Sequence, residues 1–354
     1  MLWAFPEPPT ADRLRSNSLC GADMAAAVLR QFHRPFLFRY APAHGDLAQV
    51  GAAIAAARTA ARLRRLRLGI VGCAPDGFFA SRYRAEELEA LGIRCESASL
   101  DQIFALARSL PPSALAAVEE EIAARVAHVR DHAPEQVEMS LRALGALRRW
   151  AEEARLDALA VECWPRFMTD LGGAACLPLG ILTDDGLPAA CERDVYGAVS
   201  MWLGRELSGS APFLADLVRV DEDALVFWHC GNAPCSLARS TPRAGVHANR
   251  RVALTMEGAL HMDRATGLRL APDPADGRLR LAHFEGRGVD APLAYAGNTL
   301  RLAVEGSTER FLDRVIREGC EHHHVLVRGS QTRALLDVAT LMGARAVALD
   351  GAVG

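Results

Sequence analysis

The sequence predicts an α/β protein in two parts: a doubly wound parallel-sheet domain over residues 1–156, then a β-rich α+β domain over 157–354 built on an antiparallel sheet or barrel. Three observations lead there. The first half alternates apolar strand-like runs with helical patterns, as parallel strands joined by crossover helices do. From residue 213 onward that alternation gives way to short β-rich runs separated by Gly, Pro, Asn and Asp. With 50% hydrophobic residues over 354 positions, the chain also has enough apolar surface to bury a substantial core.

In chain order, 35–40 reads as a strand, 47–63 as a helix, 66–72 as a strand, 83–91 as a helix and 93–98 as a strand. Two long helices, 112–131 and 134–154, carry an apolar stripe beside charged positions. A strand at 156–163 opens the second region, and an apolar helix covers 195–207. The β-rich runs fall at 224–229, 251–256, 278–284 and 300–305. A helix at 310–318, a strand opening on the histidines at 322–324, a helix at 332–342 and a last strand at 344–349 complete the chain.

Composition excludes several chemistries. All 40 basic residues are arginine, so no Schiff-base lysine, pyridoxal phosphate lysine or P-loop lysine is available. Net charge is −3 with arginine and acid interspersed, which is not the footprint of a nucleic-acid binder. The start, Met1-Leu2-Trp3-Ala4-Phe5, has neither a basic n-region nor a sustained apolar one, and no later stretch has membrane length, so a cytoplasmic location away from membranes is expected. The nine cysteines show no paired CxxC spacing and read as buried reduced thiols. Gly69-Ile70-Val71-Gly72 followed by Pro75-Asp76-Gly77 leaves a strand through glycines but lacks the dinucleotide spacing. It suits the wall of a ligand cleft, with Asp76 and Arg82 as its polar groups.

Two stretches carry metal-site chemistry: Ala190-Cys191-Glu192-Arg193-Asp194, and Glu321-His322-His323-His324 at the start of an apolar strand. In an extended segment Glu192 and Asp194 share a face, and one or two histidines can meet them, giving mixed oxygen and nitrogen ligation suited to Mn²⁺ or another divalent cation. The same alternation puts His322 and His324 on one face and His323 on the other. Glu192 and Asp194 also stand directly before an apolar helix, where acids cap helix ends. His229 is either a ligand or a core histidine, and Trp164 and Trp228 either stack on a bound ligand or fill the core.

Several separated motifs resemble the L-fucose isomerase and L-arabinose isomerase family, in the same order. They are Glu162-Cys163-Trp164-Pro165, Phe167-Met168-Thr169-Asp170-Leu171-Gly172-Gly173, Cys191-Glu192-Arg193-Asp194-Val195-Tyr196-Gly197, Phe213-Leu214-Ala215-Asp216, Trp228-His229-Cys230-Gly231-Asn232-Ala233-Pro234 and Glu321-His322-His323-His324-Val325. Arg15-Ser16-Asn17-Ser18 and Arg34-Pro35-Phe36 extend the similarity toward the amino terminus, where the chain resembles a shortened member.

The resemblance implies aldose–ketose isomerisation of an open-chain monosaccharide, with a divalent metal, usually manganese, polarising the sugar while acids move a proton through an enediol. It implies Glu192 as the proton-transfer group and a metal ligand, with Asp194, His323 and His229 as the other ligands. Thr169 stands where the family has its first catalytic carboxylate, which leaves Asp170, or Glu162 one strand earlier, as the replacement. Trp164, Asp76 and Asn232 are the candidate sugar contacts. Two alternatives stay open: a sugar-binding member or partner subunit without turnover, and a metal-assisted sugar lyase or epimerase on the same scaffold. A shortened doubly wound domain leaves a sheet edge or apolar face to be covered, so a homo-oligomer or a separately encoded partner is expected.

Overall fold

The computed structural model describes residues 1–9, 13–78 and 81–351. Its first half contains β1 (Leu2–Ala4), α1 (Ser18–Gln31), β2 (Phe38–Tyr40), α2 (Ala48–Leu63), β3 (Arg67–Val71), α3 (Ala85–Ala90), β4 (Arg94–Ala98), α4 (Leu100–Ser109), α5 (Pro112–Arg125) and α6 (Pro134–Glu153). β5 (Ala158–Val161), α7 (Cys176–Asp184), β6 (Ala189–Ala190) and α8 (Val195–Ser208) follow. β3, β4, β5 and β6 form a parallel sheet in the order β4-β3-β5-β6. All four residues of β5 are buried, as a strand covered on both faces requires. The sheet thus includes strands on both sides of residue 156.

Several elements depart from the sequence expectations. The strand expected over 35–40 forms only as β2, which pairs in parallel with β1 in a separate two-stranded sheet. It is tied to the far end of the chain by a buried ion pair between Arg39 and Asp337. The helix expected over 112–131 ends at Arg125, and a left-handed His128 (φ 63°) precedes a short turn at Val129–Asp131. α4 was not expected; it is started by a capping box in which Ser99 and Gln102 satisfy each other's backbone N–H.

The second half contains β7 (Phe213–Val220), β8 (Leu225–His229), β9 (Arg243–Val246), β10 (Ala253–Ala259), β11 (Arg264–Pro272), β12 (Leu279–Gly288) and β13 (Asn298–Val304). Then come α9 (Thr308–Arg317), β14 (His323–Arg328), α10 (Thr332–Met342) and β15 (Arg345–Ala348). Among the described residues, β12-β11-β14-β7-β8-β13 run antiparallel, and pairing of β13 with β12 closes them into a barrel. The expected antiparallel sheet or barrel is therefore a closed barrel. β15 adds in parallel to β12, while β10 pairs in parallel with β13 and carries β9 outward.

α8 joins the two layers. Residues Val195–Gly204 are all buried, and the helix packs on β5 and β6 on one side and on β11 and β14 on the other. Gly204 lets the barrel come close: a Cβ there would lie 2.7 Å from Val327. A second tie runs from α6 to β10, where the buried Ser140 hydroxyl donates to Ala253 O and accepts from Leu254 N–H, each at 2.8 Å. Ser140→Ala strands that buried N–H, so unfolding stability should fall by about 1–3 kcal/mol. Denaturant titration should show a lower midpoint at unchanged slope; an unchanged midpoint would mean that the tie contributes nothing.

Candidate active site

Three adjacent barrel strands bring the polar groups together. His323 opens β14 opposite Asp216 in β7, and Asp216 in turn lies opposite Trp228 in β8, next to His229. The carboxyl end of β6, in the parallel sheet, delivers Cys191 and Glu192 to the same place, where ligands collect in α/β proteins.

The segment after β6 is not extended. Glu192 (φ 57°) and Arg193 (φ 51°) are both left-handed, held by hydrogen bonds from Arg193 N to Val161 O at 2.9 Å and from Asp194 N to Cys191 O at 3.0 Å. The turn separates the two acids that an extended segment would have aligned. Glu192 faces the cleft, with Oε2 at 3.1 Å from His322 Nε2 and 3.6 Å from His323 Nε2. Asp194 faces the core.

The Asp194 carboxylate is fully occupied there. Oδ1 accepts from Gly197 N–H at 2.8 Å, capping α8, and from Arg269 at 2.9 Å; Oδ2 accepts from Arg269 at 2.6 Å and faces His323 Nδ1 at 2.9 Å. Burial works against its charge, but Arg269 and His323 outweigh it and hold the carboxyl well below the usual range. Asp194, expected as a ligand, thus has both carboxylate oxygens engaged by Gly197, Arg269 and His323. A carboxylate only accepts, so His323 Nδ1 is the donor in that contact, which orients the ring with Nε2 toward the cleft.

That Nε2 lies 3.4 Å from His229 Nε2 and 3.7 Å from Asp216 Oδ1, an atom that is buried without a hydrogen-bond partner. One ligand atom each from Cys191, Glu192, His229 and His323 lies within 4.8 Å of the others, and Asp216 forms a second such group with His322 and His323. Two converging imidazoles, a thiol, a carboxylate and an orphaned carboxylate oxygen could together hold a divalent cation. Glu192 stays ionised: burial raises its pKa, but the hydrogen bond with His322 and the nearby His323 and His229 bring it below the usual value.

The three adjacent histidines divide differently from simple alternation. His322 precedes β14, and its ring sits 4.0 Å from that of His323 on the Glu192 side. His324 points the other way, against Phe227 and Phe284, with burial, Arg269 and the neighbouring histidines pushing its pKa down to about 3. It is a neutral core residue.

A cavity of about 280 Å³ opens above this cluster, walled by Phe78, Trp164, Trp228, His247 and Arg250 as well as Glu192, Asp216 and His229. Trp164 is the one expected sugar contact in that wall. Asp76 is exposed on the loop before Phe78, and Asn232 is buried, donating to Cys191 Sγ at 3.3 Å. Asp170 is exposed on the turn Phe167–Leu171, paired with Arg166 at 2.6 Å and accepting from Thr169 Oγ1 at 2.7 Å, and it is not part of the wall. The other stand-in, Glu162, accepts from Cys73 N–H at 2.6 Å at the floor of the loop after β3. Sequence reasoning missed Asp216 as a site group, although it is the acid within the apolar start of β7.

Because removing one partner of a buried ion pair leaves the other charge uncompensated, Asp194→Asn should cost about 3–5 kcal/mol of stability. Calorimetry on parent and variant checks this. A loss under about 1 kcal/mol would show that Arg269 finds another partner and that Asp194 is not the anchor.

No family model matches the chain. Curated sulfoquinovose isomerases do match. The protein from Alkalicoccus urumqiensis is 33% identical over 359 residues, covering 99% of this chain and 80% of that protein. The one from Priestia megaterium is 33% identical over 350 residues, 97% of this chain and 78% of its own length, and the one from Clostridium sp. (strain MSTE9) is 30% identical over 352 residues at the same coverage. Likeness at this level over nearly the whole chain, together with a cleft that gathers acids and histidines, places this chain among sugar isomerases: it belongs to the sulfoquinovose isomerase family.

Proposed function

We propose that the protein interconverts an aldose and its ketose, with sulfoquinovose, a hexose bearing a sulfonate at C6, as the substrate. The observation that carries this reading is the convergence of His229 Nε2 and His323 Nε2, 3.4 Å apart, beside Glu192 in a cleft of about 280 Å³. The residue identity with named sulfoquinovose isomerases supports the substrate. His229, His323 and Glu192 would hold a divalent cation, Mn²⁺ in this reading, with Asp216 beside them. Such an ion supplies Lewis acidity to a carbonyl and its neighbouring hydroxyl, which acidifies the adjacent C–H.

The chain's own groups do the rest. Glu192, ionised and facing the cleft, takes the C2 proton of the open-chain sugar and returns it to C1, while the proton of the C2 hydroxyl passes to the C1 oxygen, so that the carbonyl moves from C1 to C2 through an enediol. His322 holds Glu192 Oε2 from the side, and its own charge, opposed by burial, is favoured by that carboxylate and by Asp216. Trp164, Trp228 and Phe78 keep the cleft walls apolar, which strengthens the electrostatics inside.

Chelation should abolish turnover and Mn²⁺ should restore it, while His323→Ala should lose the ion. Glu192→Gln should lower kcat by about 1,000-fold or more with the fold intact, whereas Asp170→Asn, which changes a surface pair, should stay within about threefold of the parent. Steady-state kinetics with metal analysis read all four. Parent-like turnover by Glu192→Gln would remove it as the proton carrier, and a large loss in Asp170→Asn would put that residue back in the chemistry.

The proposal extends to assembly as a homo-oligomer. On α1, Leu19, Met24 and Val28 are exposed, as are Phe32 just after it, Phe38 and Tyr40 of β2 and Ile54 of α2, and these side chains would supply the apolar contacts of such an interface. Among the described residues no helix is long and apolar enough to cross a membrane. Sedimentation across a dilution series should show association that weakens in Val28→Asp; a fully active monomer at nanomolar concentration would contradict it.

A further inference from the structure

We propose that Arg250 is the residue that selects a sulfonate-bearing sugar, by pairing with the anionic end of the substrate. The assignment rests on the sulfoquinovose reading above and adds a specificity residue to it.

Arg250 sits in the connection between β9 and β10, a tight turn clasped at its base. His247 N–H donates to Val252 O at 2.9 Å, Arg251 N–H to His247 O at 2.8 Å, and Arg250 N–H to His247 Nδ1 at 3.3 Å. The guanidinium lies 5.3 Å from the centroid of the Trp164 ring, so a cation–π contact holds it against the same aromatic wall that the sugar would touch. Both residues line the cavity that Glu192, Asp216 and His229 also line.

The guanidinium is prepared but unused. Among the described residues no carboxylate lies within ion-pair distance of it, in a chain with 43 acids where the buried Arg269 and Arg280 are both paired. The reacting carbons of an open-chain hexose must lie at Glu192 and the histidines, so its sixth carbon is carried away from them along the cleft. A hydroxyl there gives a cation little; a sulfonate, permanently ionised with three acceptor oxygens, gives it a charge-assisted bond. Asn249 in the same wall is neutral, and among the described residues Arg250 is the one arginine that lines this cavity.

The test is kinetics of the Mn²⁺-loaded enzyme on sulfoquinovose, glucose and glucose 6-phosphate, for the parent, Arg250→Gln and Arg250→Lys. The parent should favour sulfoquinovose. Arg250→Gln should raise KM for sulfoquinovose about 30-fold while kcat changes less than about threefold, the loss expected for one charged hydrogen bond made equally in ground and transition states. Arg250→Lys should recover part of it. Ethanesulfonate should inhibit the parent competitively and the Gln variant much less, a readout independent of whether glucose is turned over. Arg250 is exposed, so equal melting temperatures are expected and serve as the folding control. A parent that uses sulfoquinovose, with KM and ethanesulfonate inhibition unchanged in Arg250→Gln, would overturn the assignment and leave the substrate reading standing. A parent that converts glucose or its 6-phosphate but not sulfoquinovose would sink both.

Discussion

The buried contact between Asp194 and Arg269 organises this protein. Both side chains are only 1% exposed, and their two-pronged hydrogen bonds join the turn after β6 to barrel strand β11. The same carboxylate caps α8, the helix that both layers share, and fixes the ring of His323. Alone, either charge would be costly in so dry a place; together, with Gly197 N–H and the imidazole meeting the remaining lone pairs, they are compensated. The consequence is a division of labour between two acids two residues apart: Asp194 holds the scaffold and Glu192 faces the cleft.

That division is produced by backbone conformation. Left-handed φ values at Glu192 and Arg193 are costly for residues with a Cβ, of the order of 1 kcal/mol or more each. They persist because the turn is clasped to β5 through Arg193 N and Val161 O. A β-strand in the same place would have put both carboxylates on one side and left Arg269 without its partner. The site accordingly lies where two architectures meet: the carboxyl end of a parallel sheet supplies the acid, and the rim of an antiparallel barrel supplies the histidines.

Much of this was legible in the sequence, for reasons that also explain the rest. The strands and helices between residues 47 and 98 follow period and punctuation, so α2, β3, α3 and β4 fall close to their expected places. α7 was missed because it is apolar all round, with every residue from Cys176 to Thr183 buried, and shows no stripe. β11 was missed because Arg264 and the buried Arg269 interrupt its apolar run, and nothing local says that Arg269 has a partner 75 residues away. Barrel closure depends on the pairing of Gly286, Arg287 and Gly288 with Val304, Ala303 and Leu302, which no periodicity encodes. At the site, residue types were readable and directions were not: Glu192, His229 and His323 come together, while Asp194, Asn232 and Asp170 turn elsewhere.

In the reading proposed above, His229, His323 and Glu192 hold one divalent cation, with Asp194 behind His323 and not on the ion. Anomalous diffraction from crystals grown with Mn²⁺ tests it most directly. A single strong peak per chain is expected within about 2.0–2.3 Å of His229 Nε2, His323 Nε2 and a Glu192 oxygen, with Asp194 still on Arg269. A peak bound by Asp194, or one distant from both histidines, would contradict it.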